Sequence, residues 1–109
     1  MKKLFLIFML LCVTSACSTV VGTTTETLKV EGLCGMCKAR IENTAKEIDG
    51  VTGAEWDGTT KMLTLEFDLA KTKLETISKA IAKAGHDTEK DRADDNVYNS
   101  FPDCCKYRI

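Results

Sequence analysis

Residues 32–42 read Gly-Leu-Cys-Gly-Met-Cys-Lys-Ala-Arg-Ile-Glu and set two thiols three residues apart at a change of sequence period. Before them, Thr27-Leu28-Lys29-Val30-Glu31-Gly32 alternates, with Leu28 and Val30 on one face, as a short strand does. After them, Ile41, Ala45 and Ile48 recur at helical spacing, with Lys38, Arg40, Glu42, Lys46 and Glu47 outside that stripe. Gly50 ends this helix. The pair therefore sits at a strand-to-helix junction, Cys34 in the loop and Cys37 in the first helical turn. Backbone N–H groups at a helix N-terminus stabilise an anion and lower a thiol's pKa. Thiolates are soft ligands that favour Cu(I), Zn(II) and similar ions. Gly35 leaves the loop free to bring both sulfurs to one ion, and Met36 is expected as a hydrophobic prop beneath it.

Downstream, residues 51–58 (VTGAEWDG) form a second strand with Ala54 and Trp56 facing the same way. The turn signal Asp57-Gly58-Thr59-Thr60 links it to a third strand, where Leu63, Leu65 and Phe67 share a face. Thr72-Lys73-Leu74-Glu75 has the form of a capping box. It opens a second helix with Leu74, Ile77, Ile81 and Ala84 on its buried stripe, closed by Gly85. Residues 86–92 (HDTEKDR) read as a last edge strand. The order is strand, helix, strand, strand, helix, strand: an α+β, ferredoxin-like βαββαβ fold, with two helices on one face of a four-stranded antiparallel sheet. Residues 93–109 form a cysteine-containing tail without clear period, which Tyr98, Phe101 and Tyr107 are placed to pin to the domain.

The chain has 109 residues, enough for one small domain, and its first part is not expected to belong to it. Lys2 and Lys3 precede an apolar run, Leu4 to Val13, too short to span a bilayer as a helix. Small residues follow at 14–16, so residues 1–16 read as an export signal. Ser15-Ala16-Cys17 resembles a bacterial lipobox, with Thr14 where such boxes carry a large aliphatic residue. Cleavage before a lipidated Cys17 would leave residues 17–26 as a polar tether and Cys34, Cys37, Cys104 and Cys105 as two pairs. Cleavage after Ala16 by an ordinary signal peptidase would leave an odd count of five. An exported, periplasmic, membrane-anchored lipoprotein is the expected location. Loss of Lys2 and Lys3 leaves 13 basic side chains against 16 acidic ones. With no basic cluster, nucleic acid is excluded as a partner.

Cys34-x-x-Cys37 after the first strand, Ile48-Asp49-Gly50-Val51 before the second, and Ala80-Ile81-Ala82-Lys83-Ala84-Gly85-His86 closing the second helix together resemble the heavy-metal-associated domain family. That family includes copper chaperones, N-terminal domains of metal-transporting ATPases and periplasmic mercury-binding proteins. The resemblance covers residues 27–92. It implies metal binding through Cys34 and Cys37, Cu(I) first, with Zn(II) or Hg(II) as alternatives. It also implies buffering, transfer or detoxification in the periplasm, with a metal-transporting ATPase or another metal-exchange protein as partner. The chain departs from the family in three places. The loop is one residue shorter and lacks the family's buried Met, so its packing role falls to Leu33 or Met36. His86 replaces the usual aromatic residue, and the resemblance places it beside the metal loop, as a ligand or as an imidazolium near the thiolates. Cys104 and Cys105 are an addition. They offer two more thiolates, for a four-sulfur site suited to Zn(II), for a second soft ion, or for a bridge that tethers the tail.

Two other readings use the same thiols. A thioredoxin-like oxidoreductase also carries Cys-x-x-Cys at a helix N-terminus, but with Pro between the cysteines and a cis-Pro facing them; here the one proline is Pro102. A structural disulfide between Cys34 and Cys37 would close a very short loop, with little effect on the unfolded chain's entropy. Trp56 is expected in the core and Asp94-Asp95 in solvent. No nucleophile–base pair, phosphate loop or general acid–base pair is present, so no enzyme is expected.

Overall fold

A computed structural model describes residues 22–108. The expected leader (1–16), the Cys17 lipidation site and residues 17–21 of the tether lie outside them. Three strands form the sheet: β1 (Thr23–Lys29), β2 (Val51–Trp56) and β3 (Met62–Asp68), in the antiparallel order β1-β3-β2. β3 is central because its alternation is the cleanest: Leu63, Leu65 and Phe67 are fully buried, while Thr64 and Glu66 face solvent. Each such side chain contributes about 1.5–3 kcal/mol by leaving water. β1 runs from Thr23↔Asp68 to Lys29↔Met62. It therefore begins four residues inside the expected tether, where β-branched threonines suit a strand.

Two helices cover the inner face of the sheet. Helix α1 (Gly35–Lys46) buries Cys37, Ile41 and Ala45; helix α2 (Leu74–Lys83) buries Ile77, Ser78, Ile81 and Ala82. Ala82 thus takes the place expected for Ala84, which is half-buried. Trp56 is buried as expected and donates its indole N–H to the Val30 carbonyl at 3.0 Å. The Glu42 carboxylate reaches from α1 to accept the Trp56 backbone N–H (2.8 Å) and the Lys38 ammonium (2.6 Å), which ties α1 to the end of β2.

Two local expectations give way to competing hydrogen bonds. The capping box does not form: Lys73 occupies the N-cap of α2, no side chain closes it, and the buried Thr72 hydroxyl has no partner among the described residues. The fourth strand shrinks to one bridge, Val30↔Thr88, flanked by Glu31 N–H to Asp87 O (2.8 Å) and Glu89 N–H to Lys29 O (3.0 Å). The reason lies in the side chains. Thr88 Oγ1 accepts the amides of Lys90 and Asp91, and the buried Ser78 hydroxyl bonds both Thr88 Oγ1 (2.5 Å) and Asp91 Oδ2 (2.6 Å). Thr and Asp here offer the backbone a turn in place of a ladder.

The tail is ordered onto the domain. It forms a short helix α3 (Asp95–Asn99) and a 3-10 turn (Asp103–Cys105). Asp94, expected as a merely solvated residue, caps α3 by accepting the Asn96 amide at 2.7 Å, and Asp95 pairs with Arg108 at 2.7 Å; both aspartates are exposed. The pins are the expected aromatics and one unexpected arginine. Tyr107 donates its hydroxyl to Gly85 O (2.5 Å) and accepts the Asp87 amide (2.8 Å). Phe101 lies over Gly85, whose φ of +112° and lack of a Cβ let the ring approach. Arg108 forks onto both Asp87 oxygens, at 2.9 and 2.7 Å, and donates to Ala93 O at 2.8 Å.

Candidate metal centre

The end of β1 delivers the chain into Gly32, where a Cβ would meet the Cys37 Cβ and the Trp56 ring at 3.1 Å. Only glycine lets the loop pass this close to α1. Cys34 is then the N-cap of α1, with extended backbone, and its carbonyl accepts the Lys38 amide at 3.0 Å. No side chain closes this helix end, so its first amides face the Cys34 sulfur. The Cys37 amide acts most strongly on that thiol, burial opposes it, and the neighbouring Cys105 and Cys104 thiols and the Met36 amide assist. Together they bring the Cys34 pKa from 9.0 down to about 7. The helix N-terminus activates the half-buried N-cap thiol, where the sequence pattern had pointed to Cys37. Cys37 is fully buried against Ile41 and Trp56 in the core, with its sulfur 3.9 Å from that of Cys34.

The docked tail adds the second thiol pair. Cys105, fully buried, places its sulfur 3.6 Å from Cys34 Sγ, closer than Cys37 does. Burial is the largest cause that pushes the Cys105 thiol up to about 12. Exposed Cys104 lies 3.9 Å from Cys105 Sγ and 3.9 Å from Met36 Sδ. Cys34, Cys104 and Cys105 can bring their sulfurs within 4.8 Å of one another. The four cysteines among the described residues are free thiols. Met36 and Leu33 are 54% and 48% exposed, so neither props the loop nor replaces a buried methionine.

His86 is placed differently from the expected ligand. It is fully buried, with Nδ1 2.9 Å from the Glu31 carbonyl and Nε2 3.2 Å from Arg40 Nη1. A carbonyl only accepts, so Nδ1 carries the proton and Nε2 accepts from the guanidinium. Burial, the largest cause, lowers the His86 pKa, which keeps the ring neutral. Its nitrogens are thus both engaged, and Arg40 stands between it and the sulfurs. Arg40, outside the core stripe of α1 by period, is the neighbour of the thiols that the sequence pattern did not single out. Its guanidinium stacks 4.3 Å above the Phe101 ring and donates towards Cys105 Sγ at 3.9 Å. The spacing held one signal: Arg40 is one turn beyond Cys37, on the side of α1 that faces the loop.

A sequence model of the heavy-metal-associated domain matches residues 27–87. The chain belongs to the heavy-metal-associated domain family. Copper chaperone CopZ of Staphylococcus aureus is 36% identical over 63 residues, which are 57% of this chain and 93% of that protein. Among solved structures, a CopZ metallochaperone superposes with a TM-score of 0.58 at 33% identity, over 60% of this chain and 98% of that one. Oxidised MerP from Ralstonia metallidurans gives 0.58 at 31% identity, over 62% and 94%. A copper-binding domain from the P-type ATPase HMA7 gives 0.58 at 26%, over 60% and 89%. The family match stops at Asp87, so the tail with Cys104 and Cys105 is an extension beyond it.

The two extremes of thiol acidity give a direct readout. Alkylation by iodoacetamide, mapped by mass spectrometry, is expected to modify Cys34 with a rate that rises through pH about 7 as its thiolate forms, and Cys105 last. Equal rates at Cys34 and Cys105 across pH 6–9 (roughly the range of ordinary thiol titration) would contradict this electrostatic picture.

Proposed function

We propose that the reduced protein binds Cu(I) through Cys34 and Cys37 and passes it to, or takes it from, another thiolate protein. The observation that carries this reading is the pair of thiols at the open N-terminus of α1, 3.9 Å apart, one of them acidic and half-exposed. Soft thiolates prefer Cu(I), and a site with few ligands and one accessible sulfur suits transfer, because a partner's sulfur can join before one of its own leaves. Relatives named as copper chaperones, and a copper-binding domain of a P-type ATPase with the same fold, support this cargo and this kind of partner. Zn(II) and Hg(II) are the competing ions for the same sulfurs. Transfer requires no bond-making beyond ligand exchange, so the reading is of a carrier and not of an enzyme.

The expected place of work is the periplasm. The basic start, the short apolar run and the small residues before Cys17 support export, and lipidation of Cys17 would hold the domain at a membrane by the tether that precedes β1.

Titration of the reduced protein with Cu(I) against a chelator of known affinity tests the cargo. The Cys34→Ser, Cys37→Ser double variant is expected to lose affinity on the order of a hundredfold or more, about 2.8 kcal/mol; binding as tight as wild type would refute the assignment. The intact mass of the mature protein tests the anchor. A chain beginning at Cys17 with acyl and diacylglyceryl additions is expected, and an unmodified N-terminus would remove the anchor from the account.

A further inference from the structure

The tail brings to the family's thiol pair two sulfurs that the matched region does not contain. Cys34 Sγ lies 3.9 Å from Cys37 Sγ and 3.6 Å from Cys105 Sγ, and Cys105 Sγ lies 3.9 Å from Cys104 Sγ. Cys34, Cys105 and Cys104 close a triangle, all within 4.8 Å of one another, and Cys37 adjoins Cys34 and Cys105 on the other side. The Met36 thioether lies 3.9 Å from Cys104 Sγ.

These spacings, taken with which sulfurs neighbour one another, bear on the coordination geometry. With metal–sulfur bonds of about 2.3 Å, two sulfurs across a linear two-coordinate ion stand about 4.6 Å apart, and two sulfurs of a trigonal ion about 4.0 Å. The observed steps are shorter than the linear case and close to both the trigonal separation and the tetrahedral one of about 3.8 Å. A single tetrahedral ion would need all four sulfurs about equally distant from one another. Cys34, Cys104 and Cys105 satisfy mutual proximity, but Cys37 is not in that group. Two groups of three sulfurs that share the Cys34–Cys105 edge, one completed by Cys37 and the other by Cys104, are the arrangement for two ions side by side.

We propose that the chain binds two soft monovalent cations in one dinuclear thiolate centre, with Cys34 and Cys105 bridging, Cys37 completing one ion and Cys104 the other. The inference rests on the Cu(I) reading of the Cys34–Cys37 pair and extends it. Each thiol gives up its proton to solvent as it ligates. Four thiolates and two monovalent cations leave an excess of negative charge beside Cys105, where the Arg40 guanidinium stands at 3.9 Å to offset it. Neutral His86 supports that guanidinium from behind, at 3.2 Å. Met36 Sδ, exposed next to Cys104, is a soft donor at the outer ion and the point at which an incoming partner would first meet it.

The test is the Cu(I) stoichiometry of the reduced full chain, read by chelator competition and by X-ray absorption. Wild type is expected to take two equivalents with an all-sulfur shell and a copper–copper scattering path. Cys104→Ser changes only an exposed thiol; it is expected to take one equivalent and lose the copper–copper path. Wild type that saturates at one equivalent, with Cys104→Ser indistinguishable from it, would overturn the dinuclear centre and leave the Cys34–Cys37 site standing. One ion with four sulfurs would also overturn it. No competitive binding by wild type at all would instead refute the Cu(I) reading beneath it.

Discussion

The Arg108 guanidinium closes a two-bonded fork on the Asp87 carboxylate, and the position of the last two thiols depends on it. Asp87 directly follows His86 at the end of the αL turn that Gly85 allows, so the fork attaches the chain's end to the end of α2. An exposed ion pair contributes little, up to about 1 kcal/mol, but a bidentate, partly buried one contributes more. Here the fork acts with the two Tyr107 hydrogen bonds and with the Phe101 and Tyr107 rings, which flank His86 at centroid distances of 5.2 and 5.5 Å. His86 thereby serves as the surface on which the tail packs. An aromatic residue could fill that volume, but it would not hold Arg40 towards Cys105.

Where the fold was legible in the sequence, one period dominated. Leu63, Leu65 and Phe67 alternate without exception, and Ile41 and Ala45 repeat at helical spacing, so strand, helix and hairpin follow from burial alone. Where it was not legible, short side-chain hydrogen bonds competed with the pattern. Ser78, Thr88 and Asp91 fold the expected fourth strand into a turn, and the order of residues 72–75 resembles a cap although the helix starts beyond Thr72. Residues 23–26, Thr-Thr-Thr-Glu, pair with β3 and carry no apolar side chain to advertise it.

The candidate site divides in the same way. Cys34 and Cys37 are local in sequence and were readable from spacing. The join to Cys105 spans 71 positions and obeys no period, so only packing reveals it. Arg40 reads as a solvent-facing charge until Phe101 covers it. His86 reads as a ligand until its two nitrogens are assigned to Glu31 and Arg40. The two sulfurs that lie closest, Cys34 and Cys105, are pushed in opposite directions by an open helix end and by burial. Near neutral pH an incoming cation therefore finds one ligand about half ionised and one that holds its proton until metal binds.

The claim on which these arguments converge is that the tail is docked before any metal arrives. Nuclear Overhauser contacts in the reduced, metal-free protein measure this directly. The docked tail places the His86 ring protons in contact with the rings of both Phe101 and Tyr107, with dispersed chemical shifts across residues 94–108. Absence of those contacts, with the same residues at random-coil shifts, would show that Cys104 and Cys105 are not held beside Cys34 and would contradict the account.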